Sequence, residues 1–536
     1  MHSELSQMTL RQKLGQVVMF GFDGLSVPSH VKQLFRDYHL GNVIYFRRNV
    51  SDNKQIAALS RELQEQSSQY NPIHLSIAID QEGGMVARID RDVTVMPGQM
   101  TLGAAGNSQY AYDAGRISGM ELAQLGITIN FAPVLDVNNN PLNPVIGIRS
   151  FGEHPEKVAE LGIAMLSGYQ EMGVAACAKH FPGHGDTTAD SHEELPAVLH
   201  DLERLHRIEL VPFKAAIAAG VELIMTAHVQ FPALEPDGKP ATISHAVLTE
   251  LLRNELGFEG VIVTDCLEMN AISMGIGVGA GAVEAFQAGA DLILVSHRLD
   301  RQLEAYHALE QAVLQGEISE ERLNESVARI LKMKNRQQLN MQQAQAQHGF
   351  LLIGDLQSVA HCQHMMEQAV TLVQDESQHL PLAPAVQTLV IWPEVRSSTQ
   401  VDEVIEQQLT LGKQLRQLGL HVAELVIGTE PTNDEQDAAR SLLQQGRYSQ
   451  VVFGMYNASA SAGQAELVRL LSKLTDQMQI ITVFVSLRNP YDISLLRSHD
   501  TYVCAYENRP MMLRALGLAL IGSIPFRGKL PVQLTL

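Results

Sequence analysis

Cysteine is scarce in this chain: Cys177, Cys266, Cys362 and Cys504 are the four in 536 residues, and no CxxC pair occurs. Such spacing encodes neither a disulfide framework nor a zinc knuckle, and thiols set in apolar runs point to a reducing compartment. Positive charge is short as well. Lys and Arg total 39 against 59 Asp and Glu, a net charge of -20, so there is no basic footprint for nucleic acid or an anionic membrane. No apolar run reaches the ~18 residues of a membrane span. The start, MHSELSQMTLRQKLGQ, lacks the charged-then-apolar layout of a signal peptide. The expectation is a cytoplasmic chain without membrane insertion whose substrate is neutral or held by a few local cations; no motif encodes an oligomeric state.

What is present describes an ordinary globular protein. Hydrophobic residues make up 45% and charged residues 18%, with 40 Gly and 21 Pro, which excludes disorder, collagen and coiled coil and leaves material for large cores. Short β-branched apolar runs alternate with helical patterns up to about residue 335. The candidate strands are QVVMFGF from Gln16, NVIYF from Asn42, LSIAID ending at Asp80, TINFAPVLDV from Thr128, AACAKH ending at His180, LIMTAHV from Leu223, GVIVTD ending at Asp265 and DLILV from Asp291. Amphipathic stretches between them, such as AYDAGRISGMELAQLG, have the apolar spacing of helices covering an outer face. Eight βα units predict a TIM-type (β/α)8 barrel over 1–335. A doubly wound open sheet is the rival architecture.

Composition changes near Asn335. The Gln-rich segment KNRQQLNMQQAQAQHG reads as a solvated, helical linker over 336–370. The second unit, 371–536, offers strands TLVIW from Thr388, HVAELVIG from His421, QVVFGMY from Gln450, QIITVFVSL from Gln479 and TYVCAY from Thr501. These alternate with helical runs at 399–418, 434–445, 460–477 and 509–521, which predicts a three-layer α/β/α sandwich with a largely parallel sheet. It has no GxGxxG and no P-loop lysine, so no nucleotide is assigned; NASASAG from Asn457 reads as a helix cap.

In a parallel barrel, side chains at the carboxyl ends of the strands converge on one mouth. Strand three ends DQEGGMVAR, giving Asp80 and Arg88, with paired glycines for a tight turn. Strand four is followed by NPVIGIRSFG, which carries Arg149. Strand five runs into AKHFPGHGDTTADSHEELP, with Lys179, His180, His184, Asp186, Asp190 and His192 inside fourteen residues. Strand six ends at His228 and strand seven at Asp265. Each has a structural reading: a strand-end Asp can cap the next helix, either arginine can pair a carboxylate, His184 between glycines suits a turn, and His228 suits a hydrogen-bonded wall. The crowded loop is harder to assign to structure alone.

Three chemistries compete for this mouth. His180, His184 and His192 with two aspartates could hold a divalent ion, but the spacing matches no HExxH helix and Pro182 makes the segment a loop. Cys266 beside Asp265 could be a nucleophile, but a neighbouring carboxylate raises a thiol pKa and no GxSxG elbow occurs. Displacement at a sugar's anomeric carbon fits best. Asp265 attacks, His192 gives the proton to the departing oxygen, and Asp190 orients the imidazole. Arg88, Lys179, His180 and Asp80 then grip hydroxyls and the acetamido region, with Arg149 near them. This reading uses no metal and no cofactor; its partner is a small carbohydrate.

LRQKLGQVVMFGF, DQEGGMVARI, NFAPVLDV, IGIRSFG, AKHFPGHGDTTADSHEELP and GVIVTDCLEM together resemble glycoside hydrolase family 3, in its β-N-acetylglucosaminidase branch. The resemblance covers the barrel almost end to end, and IPFRGKLPV resembles the closing motif of two-domain relatives. It implies Asp265 as nucleophile, His192 as general acid/base with Asp190 as its dyad partner, and Asp80, Arg88, Arg149, Lys179 and His180 as ligands of N-acetylglucosamine. It also implies a retaining exo-acting enzyme acting on muropeptides in cell-wall recycling. Two positions depart: Met85 stands where many members have Arg, and Cys266 where many have Asp or Ala, both beside the reacting groups. A phosphorylase with the same residues is an alternative, since a neutral histidine base repels incoming phosphate less than a carboxylate does. A non-catalytic GlcNAc-binding protein is the other.

Overall fold

The structure, a computed structural model, describes residues 5–191, 195–348, 352–396 and 409–534. Eight short strands form the first sheet: β1 (Val18–Gly21), β2 (Asn42–Tyr45), β3 (Ser76–Ile79), β4 (Ile129–Asn130), β5 (Ala175–Phe181), β6 (Leu223–Thr226), β7 (Val261–Val263) and β8 (Ile293–Val295). They are hydrogen-bonded in the order β8-β1-β2-β3-β4-β5-β6-β7, every pair parallel. A parallel bridge between Val263 and Leu292 joins β7 back to β8. The sheet is therefore a closed barrel and not the open, doubly wound alternative. All residues of these strands are buried, because a parallel barrel covers one face with helices and fills the other with side chains. Covering helices pack closely at small residues. Where Ser108–Gln124 crosses Pro155–Glu171, a Cβ on Gly115 would lie 2.1 Å from the Met165 carbonyl oxygen.

The second sheet has six strands: β9 (Thr371–Gln374), β10 (Gln387–Glu394), β11 (His421–Gly428), β12 (Gln450–Met455), β13 (Ile481–Ser486) and β14 (Thr501–Cys504). Their order is β9-β14-β13-β12-β10-β11, parallel except for β9. Helices Leu411–Gln417, Asn433–Gln444, Ala462–Met478 and Pro510–Leu520 accompany them, and the expected helical run 399–418 lies partly outside the described residues. β9 is an addition to the five expected strands. It is short, half-exposed and interrupted by a register shift between Leu372 and Gln374, so no continuous apolar run marks it.

Between the sheets, Glu320–His348 is one 29-residue helix, followed by Leu356–Ala369. The Gln-rich stretch is thus helical, but it is not wholly solvated: Lys334 and Gln337 are buried. Lys334 Nζ donates to Gln16 Oε1 and Gly41 O at 2.8 Å and to His74 O at 3.0 Å, beneath the barrel at the amino ends of its strands. Burial pushes this lysine down to about 7.

Candidate active site

The site grows out of the carboxyl ends of the barrel strands. Past β3 the chain stays extended through Asp80 and into a hairpin that pairs Gln81–Gly83 with Val86–Ala87. Alternation along an extended chain sends Asp80 and Glu82 to one side. The turn needs glycine: Gly84 has φ +54, and a Cβ there would lie 2.6 Å from Gly98 Cα. From β5, Lys179 Nζ lies 2.8 Å from Asp80 Oδ1 and 2.6 Å from Glu82 Oε1. From the turn Gly147–Arg149, the Arg149 guanidinium grips the same Glu82 with Nε to Oε2 at 2.9 Å and Nη2 to Oε1 at 2.8 Å.

This cluster is buried, so its charges survive only by mutual support. Burial opposes ionisation of Glu82, but Arg149 and Lys179 outweigh it and hold the carboxyl well below the usual carboxylate range. Burial likewise works against the charge of Arg149 and of Lys179; Glu82 reverses this for the arginine, and Asp80 then Glu82 for the lysine, so both stay cationic.

A second buried carboxylate, Asp136, sits behind the histidines. Its Oδ2 lies 2.7 Å from His180 Nδ1, and its Oδ1 accepts the backbone N–H groups of His180 at 3.2 Å and His184 at 2.6 Å. Its own burial is overcome chiefly by His180, which keeps it below the ordinary range. His184 is no simple turn residue. Its ring spans Thr187 Oγ1 at 2.9 Å and Ser191 Oγ at 3.0 Å, and burial pushes it down to about 4, so it is neutral at pH 7.

A cavity of about 340 Å³ opens at this mouth, and its wall includes Asp80, Glu82, Arg88, Arg149, Lys179, His180, His184, Ser191, Asp265 and Cys266. Six of the expected residues thus meet in one space: Asp265 and the five assigned to sugar binding. Asp265, just past β7, accepts the Cys266 N–H on Oδ1 at 2.7 Å. Asp190 lies half-buried on the loop after β5, next to the wall residue Ser191. His192 lies outside the described residues. His228 is buried and hydrogen-bonded within the barrel, with Nδ1 2.7 Å from Thr242 Oγ1 and Nε2 3.0 Å from Cys266 O.

Among the described residues, neither of the other chemistries finds a suitable donor set at the mouth. Both ring nitrogens of His184 are committed to hydroxyls, and His180 Nδ1 is committed to Asp136, so the two imidazoles do not turn together toward a cation. Among the described residues, Cys266, Glu268 and His297 do bring ligand atoms within 4.8 Å of one another. However, Glu268 already accepts the backbone N–H groups of Ser296 at 2.9 Å, His297 at 2.6 Å and Arg298 at 2.9 Å. The Arg48 guanidinium also stands 3.0 Å from His297 Nδ1. The cluster ties the loop after β8 to that after β7. The Cys266 thiol is pushed up to about 12 by burial and then by Glu268, which removes its nucleophilic character at neutral pH.

Several residues of the site escaped the sequence reading: the wall residues Glu82, Arg47, Arg48 and His297, and Asp136 behind the histidines. The strand-end rule that found Asp80 reaches most of them. Arg47 and Arg48 follow β2 by two and three residues, His297 follows β8 by two, and Glu82 shares the face of Asp80.

With this geometry in view, relatives can be compared. Residues 9–333 match the family model for the glycosyl hydrolase family 3 N terminal domain. A β-hexosaminidase A of Pseudoalteromonas piscicida is 41% identical over 333 residues, 58% of this chain, which spans 56% of that relative's length. A β-N-acetylglucosaminidase/β-glucosidase of Cellulomonas fimi is 28% identical over 99% of this chain and 94% of its own. The solved structure of a glycoside hydrolase family 3 β-N-acetylglucosaminidase from Paenibacillus sp. str. FPU-7 superposes with TM-score 0.93 at 48% identity, covering 98% of this chain and 99% of that one. The barrel, the mouth that gathers Asp265 with the Asp80–Lys179–Glu82–Arg149 cluster, and these similarities together place the chain in glycoside hydrolase family 3.

Proposed function

We propose that this chain is a retaining, exo-acting β-N-acetylglucosaminidase that releases terminal GlcNAc from β-linked amino sugars. The observation that carries the reading is the single cavity in which Asp265 meets Asp80, Arg88, Arg149, Lys179 and His180. Its volume, about 340 Å³, lies at the small end of the ~300–1,000 Å³ range of ligand pockets, which suits one sugar ring. The Paenibacillus relative is named a β-N-acetylglucosaminidase and the Pseudoalteromonas relative a β-hexosaminidase, which supports the reading.

In the first step an oxygen of Asp265 attacks the anomeric carbon, the glycosidic bond breaks, and its electron pair leaves on the aglycone oxygen, which takes a proton from His192. In the second, His192 removes a proton from water, the hydroxyl attacks the anomeric carbon, and the bond to Asp265 breaks. Asp190 orients and charge-stabilises the imidazole. The ion-paired cations and carboxylates of the wall bind the hydroxyl and acetamido groups, and no metal or cofactor takes part. Muropeptides in cell-wall recycling are the substrate class implied by the family resemblance. A cytoplasmic setting agrees with four buried, unpaired cysteines. We assign catalysis to a barrel domain at 1–335, a connecting segment to 336–370 and the sandwich to 371–536.

The test is a panel of aryl glycosides of GlcNAc, glucose and xylose, assayed with and without inorganic phosphate. Turnover of the GlcNAc glycoside to free sugar, independent of phosphate, is the expected outcome. A sugar 1-phosphate product would make the chain a phosphorylase, and tight GlcNAc binding without turnover would make it a binding protein.

A further inference from the structure

The second domain sends no described side chain into the cavity wall, yet it is joined to the two barrel loops that build the sugar-binding cluster. Past β14, Glu507 Oε1 accepts the Gly98 N–H at 3.1 Å and the Thr101 hydroxyl at 2.7 Å. Two residues on, Arg509 Nε donates to the Gly84 carbonyl at 2.8 Å, and its Nη1 lies 3.5 Å from Asp90 Oδ2. Asp90 is also the ion-pair partner of Arg47, whose Nη1 donates to the Arg88 carbonyl at 3.1 Å. These contacts hold the segment that carries Asp80, Glu82 and Arg88 at its turn, Gly84, and at its carboxyl end, Arg88 and Asp90. Past β13, Asn489 Oδ1 accepts the Ile148 N–H at 3.1 Å, next door to Arg149. Gly147 makes room for it: a Cβ there would lie 2.5 Å from Asn489 Oδ1. Close by, the Tyr491 hydroxyl accepts from Asn138 Nδ2 at 2.8 Å, while Asn138 Oδ1 accepts the Gly147 N–H at 3.1 Å.

The junction is a built one. Glu507 and Arg509 are buried, and the chain reaches them through Tyr506, whose φ of +64° lies in the left-handed region that a bulky residue seldom adopts. Its hydroxyl is tied to Thr371 Oγ1 at 2.8 Å. A surface used only to hold two domains together would need neither this strain nor contacts placed at the roots of Glu82, Arg88 and Arg149.

We infer that the second domain is a clamp for substrate recognition, in which Asn489 and Glu507, with Arg509, are positioning residues that set Arg149 on one side of the sugar and the Asp80–Arg88 segment on the other. The inference rests on the proposed glycosidase reading for its substrate. Groups that bind the non-reacting part of the sugar act in ground and transition states alike, so their misplacement raises KM more than it lowers kcat.

The experiment compares Asn489→Ala with Asn489→Asp, and Glu507→Ala with Glu507→Gln, in the full chain, using whichever aryl glycoside the unmodified enzyme turns over best. The alanine variants should raise KM on the order of tenfold, with a smaller change in kcat. The Asp and Gln variants, which keep the acceptor, should stay within about twofold. Should an alanine variant fail to fold, Thr101→Val removes only the barrel hydroxyl that meets Glu507, and it should raise KM in the same sense. Wild-type KM in a folded alanine variant or in Thr101→Val would overturn the clamp. Which glycoside the unmodified chain hydrolyses is read separately, so loss of the GlcNAc assignment would leave the clamp to be judged on its own.

Discussion

Glu82 and Arg149 are joined by two parallel hydrogen bonds of 2.9 and 2.8 Å, and Lys179 completes the group at 2.6 Å from the same carboxylate. Glu82 therefore neutralises one side of each of two buried cations that line the cavity.

Glu82→Gln should leave Arg149 and Lys179 undercompensated inside the protein and destabilise the fold by roughly 3–5 kcal/mol. The pH sign follows from the depressed carboxyl. Its contribution is full above the ordinary carboxylate pKa of ~4.3 and is lost as pH falls toward the lower folded value. Urea denaturation at pH 7 and pH 4 should show a wide gap between the two proteins at neutral pH that narrows in acid. A gap that widens in acid would contradict the ion-pair account.

His184 makes a separate pH prediction. Burial holds its ring at about 4 against 6.5 for an unperturbed histidine. Between those values the unfolded chain binds a proton that the folded chain does not. Its share of stability is complete above 6.5 and declines toward pH 4, by roughly 3 kcal/mol in all. His184→Gln should flatten the stability profile across that window. Parallel profiles for variant and wild type would show that another group sets the slope.

Asp136→Asn keeps the size of the side chain but removes the negative charge beside His180 Nδ1. Because His180 lines the sugar cavity, KM for the aryl glycoside should rise on the order of tenfold. An unchanged KM in a folded Asp136→Asn variant would remove Asp136 from this role.

The barrel was legible because each strand is a short apolar run followed by a polar break, and the rule that parallel strands point their carboxyl ends at one mouth located Asp80, Arg149, Lys179 and Asp265 without any measurement of distance. What remained hidden depends on three-dimensional pairing. Asp136 reads in VLDV as the tail of a strand; only the return of β5 beside it brings its carboxylate to His180 and His184. Glu82 reads as a turn residue beside two glycines, and its weight comes from Lys179 and Arg149, 97 and 67 positions away. β9 lies on a half-exposed edge and lacks the apolar continuity that marks its neighbours. The contacts of Asn489, Glu507 and Arg509 join segments hundreds of residues apart, which no local pattern encodes.

Cys266 follows the proposed nucleophile, and its thiol is pushed up to about 12. Iodoacetamide at pH 7.5 should leave activity intact, and Cys266→Ala should keep kcat within a fewfold of wild type, on the order of the small effects of volume-tolerated core substitutions. Rapid inactivation protected by GlcNAc would instead identify an activated thiol in the site.

His192→Ala should spare aryl glycosides with good leaving groups far more than those with poor ones, since a stable phenolate departs without a proton. A series of substituted phenyl N-acetylglucosaminides measures this as the dependence of kcat/KM on leaving-group pKa. Equal losses along the series would remove His192 as the acid.

The central claim is that Asp265 forms a covalent bond to the sugar. Incubating the enzyme with a fluorinated GlcNAc donor that slows the second step, then sequencing the labelled peptide by mass spectrometry, tests it most directly. The account predicts one sugar per chain, attached to Asp265 in VIVTDCLEM, with Asp265→Ala neither labelled nor active. A label on another residue, or an unlabelled enzyme that releases the inverted anomer, would contradict it.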